Sequence, residues 1–144
     1  MDAFLGEYPH SLDDKGRLIL PAKFRAPFEA GAYLAAGQGK CLAVYTPTEW
    51  EGVLARAREL AREGGERMAV ARTMFALSSS VVPDKQGRVI VPAPLREYAG
   101  LEREVVVAGA LTHVEIWDAP RWREQRAQGE ALLATDESLP GIVF

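Results

Sequence analysis

Residues 4–12 alternate loosely between apolar and polar and run into Asp13-Asp14-Lys15-Gly16, a polar turn in which Gly16 can take a positive φ, so a hairpin is predicted there. Leu18-Ile19-Leu20 follows as a short buried strand that stops at Pro21, and Pro21 opens a brief helix ending near residue 28. Residues 32–37 and 41–45 read as a strand pair about Gly37-Gln38-Gly39-Lys40. The period then lengthens. Thr46-Pro47-Thr48-Glu49 offers a capping hydroxyl, a first-turn proline and a glutamate three residues after the cap, after which Trp50, Val53, Leu54, Ala57, Leu60 and Ala61 share one helical face. Gly64-Gly65 breaks that helix, and a second amphipathic segment from about residue 67 to 77 carries Met68, Ala71 and Phe75 on one side.

The same pattern then returns. Asp13-Asp14-Lys15-Gly16-Arg17-Leu18-Ile19-Leu20-Pro21-Ala22-Lys23-Phe24-Arg25 recurs 71 residues later as Asp84-Lys85-Gln86-Gly87-Arg88-Val89-Ile90-Val91-Pro92-Ala93-Pro94-Leu95-Arg96, with seven of thirteen positions identical and three more apolar in both. Gly100 closes the second short helix, residues 105–109 and 114–117 form the second hairpin, and Ile116 to Trp122 matches Val44 to Trp50 at a spacing of 72. A last helix starts near Asp118, carries Trp122 and Leu132-Leu133, and gives way to a tail with Pro140-Gly141. Copies of roughly 45 residues are too short to bury a core separately, which predicts one interlocked domain. The expected fold is mainly β with short helices, an α+β chain. Its units are half-repeat 7–50, linker helices 51–77, half-repeat 78–122 and a C-terminal helix and tail 123–144.

Composition places the 144 residues, 48% apolar and 26% charged, among ordinary single globular domains. No apolar run approaches the roughly 20 residues of a membrane span and no basic-then-apolar leader opens the chain, so a cytoplasmic protein without a membrane partner is expected. Cys41 is the lone cysteine and reads as a half-buried small apolar residue. A net charge of −3 argues weakly against a nucleic-acid partner, but its distribution matters more than its sum. Residues 13–25 hold Lys15, Arg17, Lys23 and Arg25 against Asp13 and Asp14, whereas Glu130, Asp136 and Glu137 follow the last base, Arg126, so basic and acidic surfaces are expected to be segregated.

The doubled Asp-x-x-x-Arg followed by an apolar triplet and Pro-Ala, together with Leu5-Gly6-Glu7-Tyr8, Pro47-x-x-Trp50 and Val114-Glu115-Ile116-Trp117-Asp118, resembles the MraZ family over nearly the whole chain. The resemblance implies tandem SpoVT-AbrB half-repeats wound into a swapped-hairpin, double-psi-like β-barrel. It implies a nucleoid-associated transcriptional regulator of the division and cell-wall gene cluster, binding short G-rich direct repeats of double-stranded DNA upstream of its own gene as a homo-oligomeric ring.

On this reading Arg17 suits a bidentate contact to guanine O6 and N7, while Lys15 and a backbone N–H near Gly16 reach phosphate. Lys85, Gly87 and Arg88 are their counterparts, expected to engage DNA less because Gln86 stands where the first copy has Lys15. Asp13 and Asp84 are orienting residues, since a carboxylate repels phosphate. An alternative role for each Asp and Arg is a pair that only ties the turn together. Lys23 and Arg25 read as solvated charges, and Trp50, Trp117 and Trp122 as packing residues in place of base-stacking platforms. Arg56, Arg58, Arg62, Arg67 and Arg72, interleaved with Glu51, Glu59, Glu63 and Glu66, predict a salt-bridged face in solvent or between subunits.

Catalysis is disfavoured. Double-psi barrels include decarboxylases that cleave themselves before a serine, but this chain has no Gly-Ser pair. His10 and His113 stand 103 positions apart without ligand-spaced partners, Gly37-Gln38-Gly39 lacks the Lys-Ser/Thr of a phosphate loop, and Ser78-Ser79-Ser80 lacks a Gly-x-Ser-x-Gly frame. No catalytic residue, metal, cofactor or small-molecule substrate is expected. The rival class is a protein-binding assembly module without specific DNA binding, separable by salt dependence because phosphate contacts release counterions.

Overall fold

The computed structural model describes residues 3–135; the predicted tail with Pro140-Gly141, and the acidic Asp136 and Glu137, lie outside them. Over the described residues the fold is mixed α+β, with an antiparallel sheet and five α-helices. Strand β1 (Glu7–Ser11) leads through the first turn to β2 (Arg17–Ile19), α1 (Ala22–Arg25) with a 3-10 turn over Ala26–Phe28, and the hairpin β3 (Ala32–Ala36) and β4 (Leu42–Tyr45). Helices α2 (Pro47–Arg62) and α3 (Gly65–Leu77) follow. The second pass repeats the first as β5 (Ser79–Val81), β6 (Arg88–Ile90), α4 (Ala93–Ala99), β7 (Glu104–Gly109), β8 (Val114–Asp118) and α5 (Ala119–Thr135).

Local chemistry sets the boundaries. Thr46 Oγ1 accepts the Glu49 N–H at 3.2 Å, closing the first turn of α2 with Pro47 at a position that needs no donor. Gly64, at φ +68°, separates α2 from α3, and Gly100, at φ +63°, takes the left-handed conformation that ends α4.

Strand pairing crosses between the halves. The main sheet runs β1-β7-β8-β4-β3-β5, so the first strand of each half pairs with the hairpin of the other: β1 with β7, and β5 with β3. Strands β2 and β6 form a separate two-stranded ribbon. One core results, with Leu18, Leu20, Phe24, Phe28, Leu34 and Val44 from the first half packed among Val89, Val91, Leu95, Val105, Val107 and Ile116 from the second. Phe4 lies inside it, stacked on Phe28 at 5.3 Å and edge-on to Phe24 at 5.4 Å. A satellite cluster seats α2 on the sheet, where Trp50 stacks on Tyr33 at 5.0 Å and meets Phe75 edge-on.

Cys41 is fully buried, beyond the half-buried position expected of it, and desolvation pushes its thiol up to about 12. Among the described residues no helix is long and apolar enough to cross a membrane.

Candidate nucleic-acid interface

The two Asp-x-x-x-Arg segments fold into the same turn. Asp13 Oδ1 accepts the backbone N–H groups of Lys15 and Arg17, each at 2.9 Å, and Oδ2 accepts Arg17 Nε at 2.6 Å. Asp84 does the same with Gln86 N, Arg88 N and Arg88 Nε, at 2.9, 2.9 and 2.6 Å. The aspartates thus orient their arginines, and the tie between carboxylate and guanidinium that the sequence offered as an alternative role is present. That tie uses only Nε. Among the described residues no hydrogen bond engages the terminal guanidinium nitrogens of Arg17 or Arg88, so the end suited to guanine or phosphate is open.

The backbone calls for glycine at the centre of each turn. Gly16 and Gly87 hold φ of +75° and +79°, a region that side-chain-bearing residues rarely adopt. A Cβ on Gly16 would also collide with the Arg96 guanidinium, and one on Gly87 with that of Arg25. Both glycines are buried, so their part is to shape the loop that presents Lys15 and Lys85, which are exposed.

Arg25 and Arg96 are the functional-site residues that sequence reasoning missed. Arg25 is half-buried, donates Nε to the Leu20 carbonyl at 2.8 Å and lies over the turn of the other half; Arg96 donates Nη1 to Val91 O at 2.7 Å and covers Gly16. Each half therefore supports the other half's turn. The one sequence signal is that arginine is among the seven identities of the repeat, which marks both positions without saying what they cover. Lys23, by contrast, is exposed, as a solvated charge should be.

The turns are joined through the β2–β6 ribbon, in which Arg17 stands opposite Ile90, Leu18 opposite Val89 and Ile19 opposite Arg88. Leu20 N donates to Gly87 O and Val91 N to Gly16 O, extending the link into both loops. Leu18 and Val89 point into the core, which leaves both arginines on the outer face. The two turns share one hydrogen-bond geometry, although Gln86 replaces Lys15 in the second. The first turn even holds the less favourable charge, two acids and two bases in Asp13, Asp14, Lys15 and Arg17, against one acid and two bases in Asp84, Lys85 and Arg88.

These bonds hold Asp13 and Asp84 below the ordinary aspartate range, first through the backbone N–H of Arg17 and Arg88 and then through the guanidinium bond. A carboxyl depressed in the folded state adds stability above its unfolded value and loses it as pH falls through the folded one. The thermal midpoint of the wild type should therefore fall more steeply below about pH 4 than that of the Asp13→Asn, Asp84→Asn double variant; parallel curves would contradict this.

The other candidates take structural places. Trp50 and Trp117 are buried, and the half-buried Trp122 packs against Trp117 at 5.6 Å and donates to Glu7 at 2.8 Å. The α2–α3 arginines form a salt-bridged face only in part: Arg62 pairs with Glu59 and Arg67 with Glu63 at 3.5 Å, all well exposed, whereas Arg56, Arg58 and Arg72 have no ion-pair partner among the described residues. Among the described residues no group of three or more His, Cys, Asp and Glu is placed to hold a metal ion.

Comparison with known proteins is consistent with this doubled architecture. The family model described as "MraZ protein, putative antitoxin-like" matches twice, over residues 3–72 and 74–139. The chain is 48% identical over 141 residues to a Micrococcus luteus protein named transcriptional regulator MraZ, covering 96% of this chain and 99% of that one. Proteins of the same name from Frankia casuarinae and Salinispora tropica are 44% and 45% identical, covering 97% and 96% of this chain and 99% of each relative.

Proposed function

The chain belongs to the MraZ family, and on that footing we propose that it is a transcriptional regulator that reads G-rich direct repeats of duplex DNA upstream of its own gene, in the division and cell-wall cluster. The observation that carries this reading is the pair of identical turns on one ribbon, each holding an arginine by Nε with its terminal nitrogens open. Arg17 and Arg88 contact guanine, Lys15 and Lys85 reach phosphate, Gly16 and Gly87 shape the loops, and Asp13 and Asp84 aim the arginines. Residues 7–50 and 78–122 act as SpoVT-AbrB half-repeats, with 51–77 as linker helices and 123–144 as a C-terminal extension. The exchanged strand pairing supports a swapped-hairpin, double-psi-like barrel. The protein works on the nucleoid in the cytoplasm, without cofactor or catalysis.

A ring-shaped homo-oligomer completes the proposal, because direct repeats suit identical subunits in register and modest contacts then multiply. Two surfaces left largely uncovered by the described residues support it. Residues 123–135 of α5 are exposed throughout, with Leu132 at 58% and Leu133 at 61%, although so short a free helix is marginal in water. Helices α2 and α3 leave an apolar groove lined by Leu54, Ala57, Ala61, Met68, Ala71 and Phe75, rimmed by Arg58 and Arg72. Glu124 on α5 is opposite in sign to that rim, while Glu130 on the same helix faces its own Arg126 at 3.7 Å. Seating one subunit's α5 in the next subunit's groove is a head-to-tail contact, the kind that closes rings. The Leu132→Glu, Leu133→Glu double variant should drop in mass toward the monomer by light scattering at a concentration where the wild type is oligomeric; an unchanged mass would refute this contact.

The DNA reading is tested by fluorescence anisotropy with the upstream G-rich repeats against a shuffled duplex over a series of salt concentrations. Repeat-dependent binding that weakens steeply with salt is expected. Equal, weak binding to both duplexes would favour a protein-binding assembly module instead.

A further inference from the structure

The outer face of the β2–β6 ribbon carries more than its two arginines. Ile19 and Ile90 share it, 43% and 57% exposed, while Leu18 and Val89 between them and the arginines are buried. Each isoleucine stands directly across from the arginine of the other half, Ile90 opposite Arg17 and Ile19 opposite Arg88, and two residues along the strand from its own. The face is therefore a four-cornered patch with guanidinium groups on one diagonal and branched alkyl groups on the other. No core residue covers the isoleucines, and a surface strand beside two charges has no packing need for them. Both copies of the repeat nevertheless place isoleucine there.

We propose that Ile19 and Ile90 are specificity-determining residues that read the C5-methyl groups of thymines beside the guanines held by Arg17 and Arg88. The inference rests on the DNA reading above and adds a second base to what each turn recognises. A two-stranded ribbon fits the major groove, where thymine alone of the natural bases displays a methyl group and guanine displays the O6 and N7 acceptors. Same-face neighbours on a strand are separated by roughly 6.5 Å, close to two base steps of about 3.4 Å, so each thymine lies within about two base pairs of a guanine. The isoleucine methyls bury against that group and make the ribbon prefer a guanine with thymine close by over an isolated guanine.

The test removes one methyl at a time from the DNA. In the upstream repeat duplex, thymines within two base pairs of the repeat guanines are replaced by uracil, which leaves pairing intact, and affinity is measured by anisotropy for wild type, the Ile19→Ala, Ile90→Ala variant and the Ile19→Val, Ile90→Val variant. Wild type should bind the uracil duplex about fourfold more weakly per contacted methyl, the worth of one buried methyl group. The alanine variant should bind both duplexes alike, and the valine variant, which keeps branched methyls, should retain part of the preference. Circular dichroism confirms folding, which truncation at two exposed positions leaves intact. Equal wild-type binding to thymine and uracil duplexes, or a preference that survives in the alanine variant, would overturn this inference alone. No binding to either duplex would overturn the DNA reading together with it.

Discussion

Arg17→Ala and Arg88→Ala should each weaken binding to the G-rich operator by roughly 10- to 100-fold, the cost of losing one bidentate guanine contact at about 1–3 kcal/mol. The two losses should be alike, because each arginine is held by the same two bonds to aspartate, from its backbone N–H and from Nε, and the two stand at symmetric positions on the ribbon. The double variant should lose discrimination between operator and shuffled duplex while keeping the salt-dependent attraction of the remaining lysines. Unfolding does not account for such losses, since both pairs lie at the surface, where solvent screens them. Affinity titrations beside thermal melts check this. A variant that melts normally and binds the operator undiminished would remove that arginine from the interface.

Phe28→Ala should cost about 3–5 kcal/mol of stability, the range for truncating a fully buried aromatic. Phe28 is stacked on Phe4 within a core that both halves build, so the loss falls on the whole domain. In urea, Trp50 in the first half and Trp117 with Trp122 in the second should unfold in one transition at a lower midpoint, followed by single-tryptophan variants and far-ultraviolet circular dichroism. A second-half tryptophan that keeps its wild-type midpoint would show that the halves fold independently, against the exchanged pairing of β1 with β7 and β5 with β3.

The parts legible in the sequence were those written in local chemistry. Thr46 and Pro47 announced α2, Gly64 and Gly100 announced helix ends, and the doubled Asp-x-x-Gly-Arg context located both turns, because caps, left-handed glycines and side-chain bonds over four residues act within a few positions. Features that depend on how the halves cross were not legible. Arg25 looked like a helix charge because nothing within its own half reveals that Gly87 lies beneath it. Ile19 and Ile90 passed for members of buried triplets, since an apolar run of three does not say that only its first and third residues turn inward in the Leu18-Ile19-Leu20 case. The arginine-rich α2–α3 segment suggested ion pairs, and three of its five arginines have none among the described residues.

If the two turns present one face to guanines in the major groove, methylation interference at guanine N7 will show which guanines of the upstream repeats, once methylated, exclude the protein. Strong interference is expected at discrete guanines within each repeat for the wild type, with one subset losing its effect in Arg17→Ala and a different subset in Arg88→Ala. Interference that is absent, or that is unchanged in both variants, would contradict it.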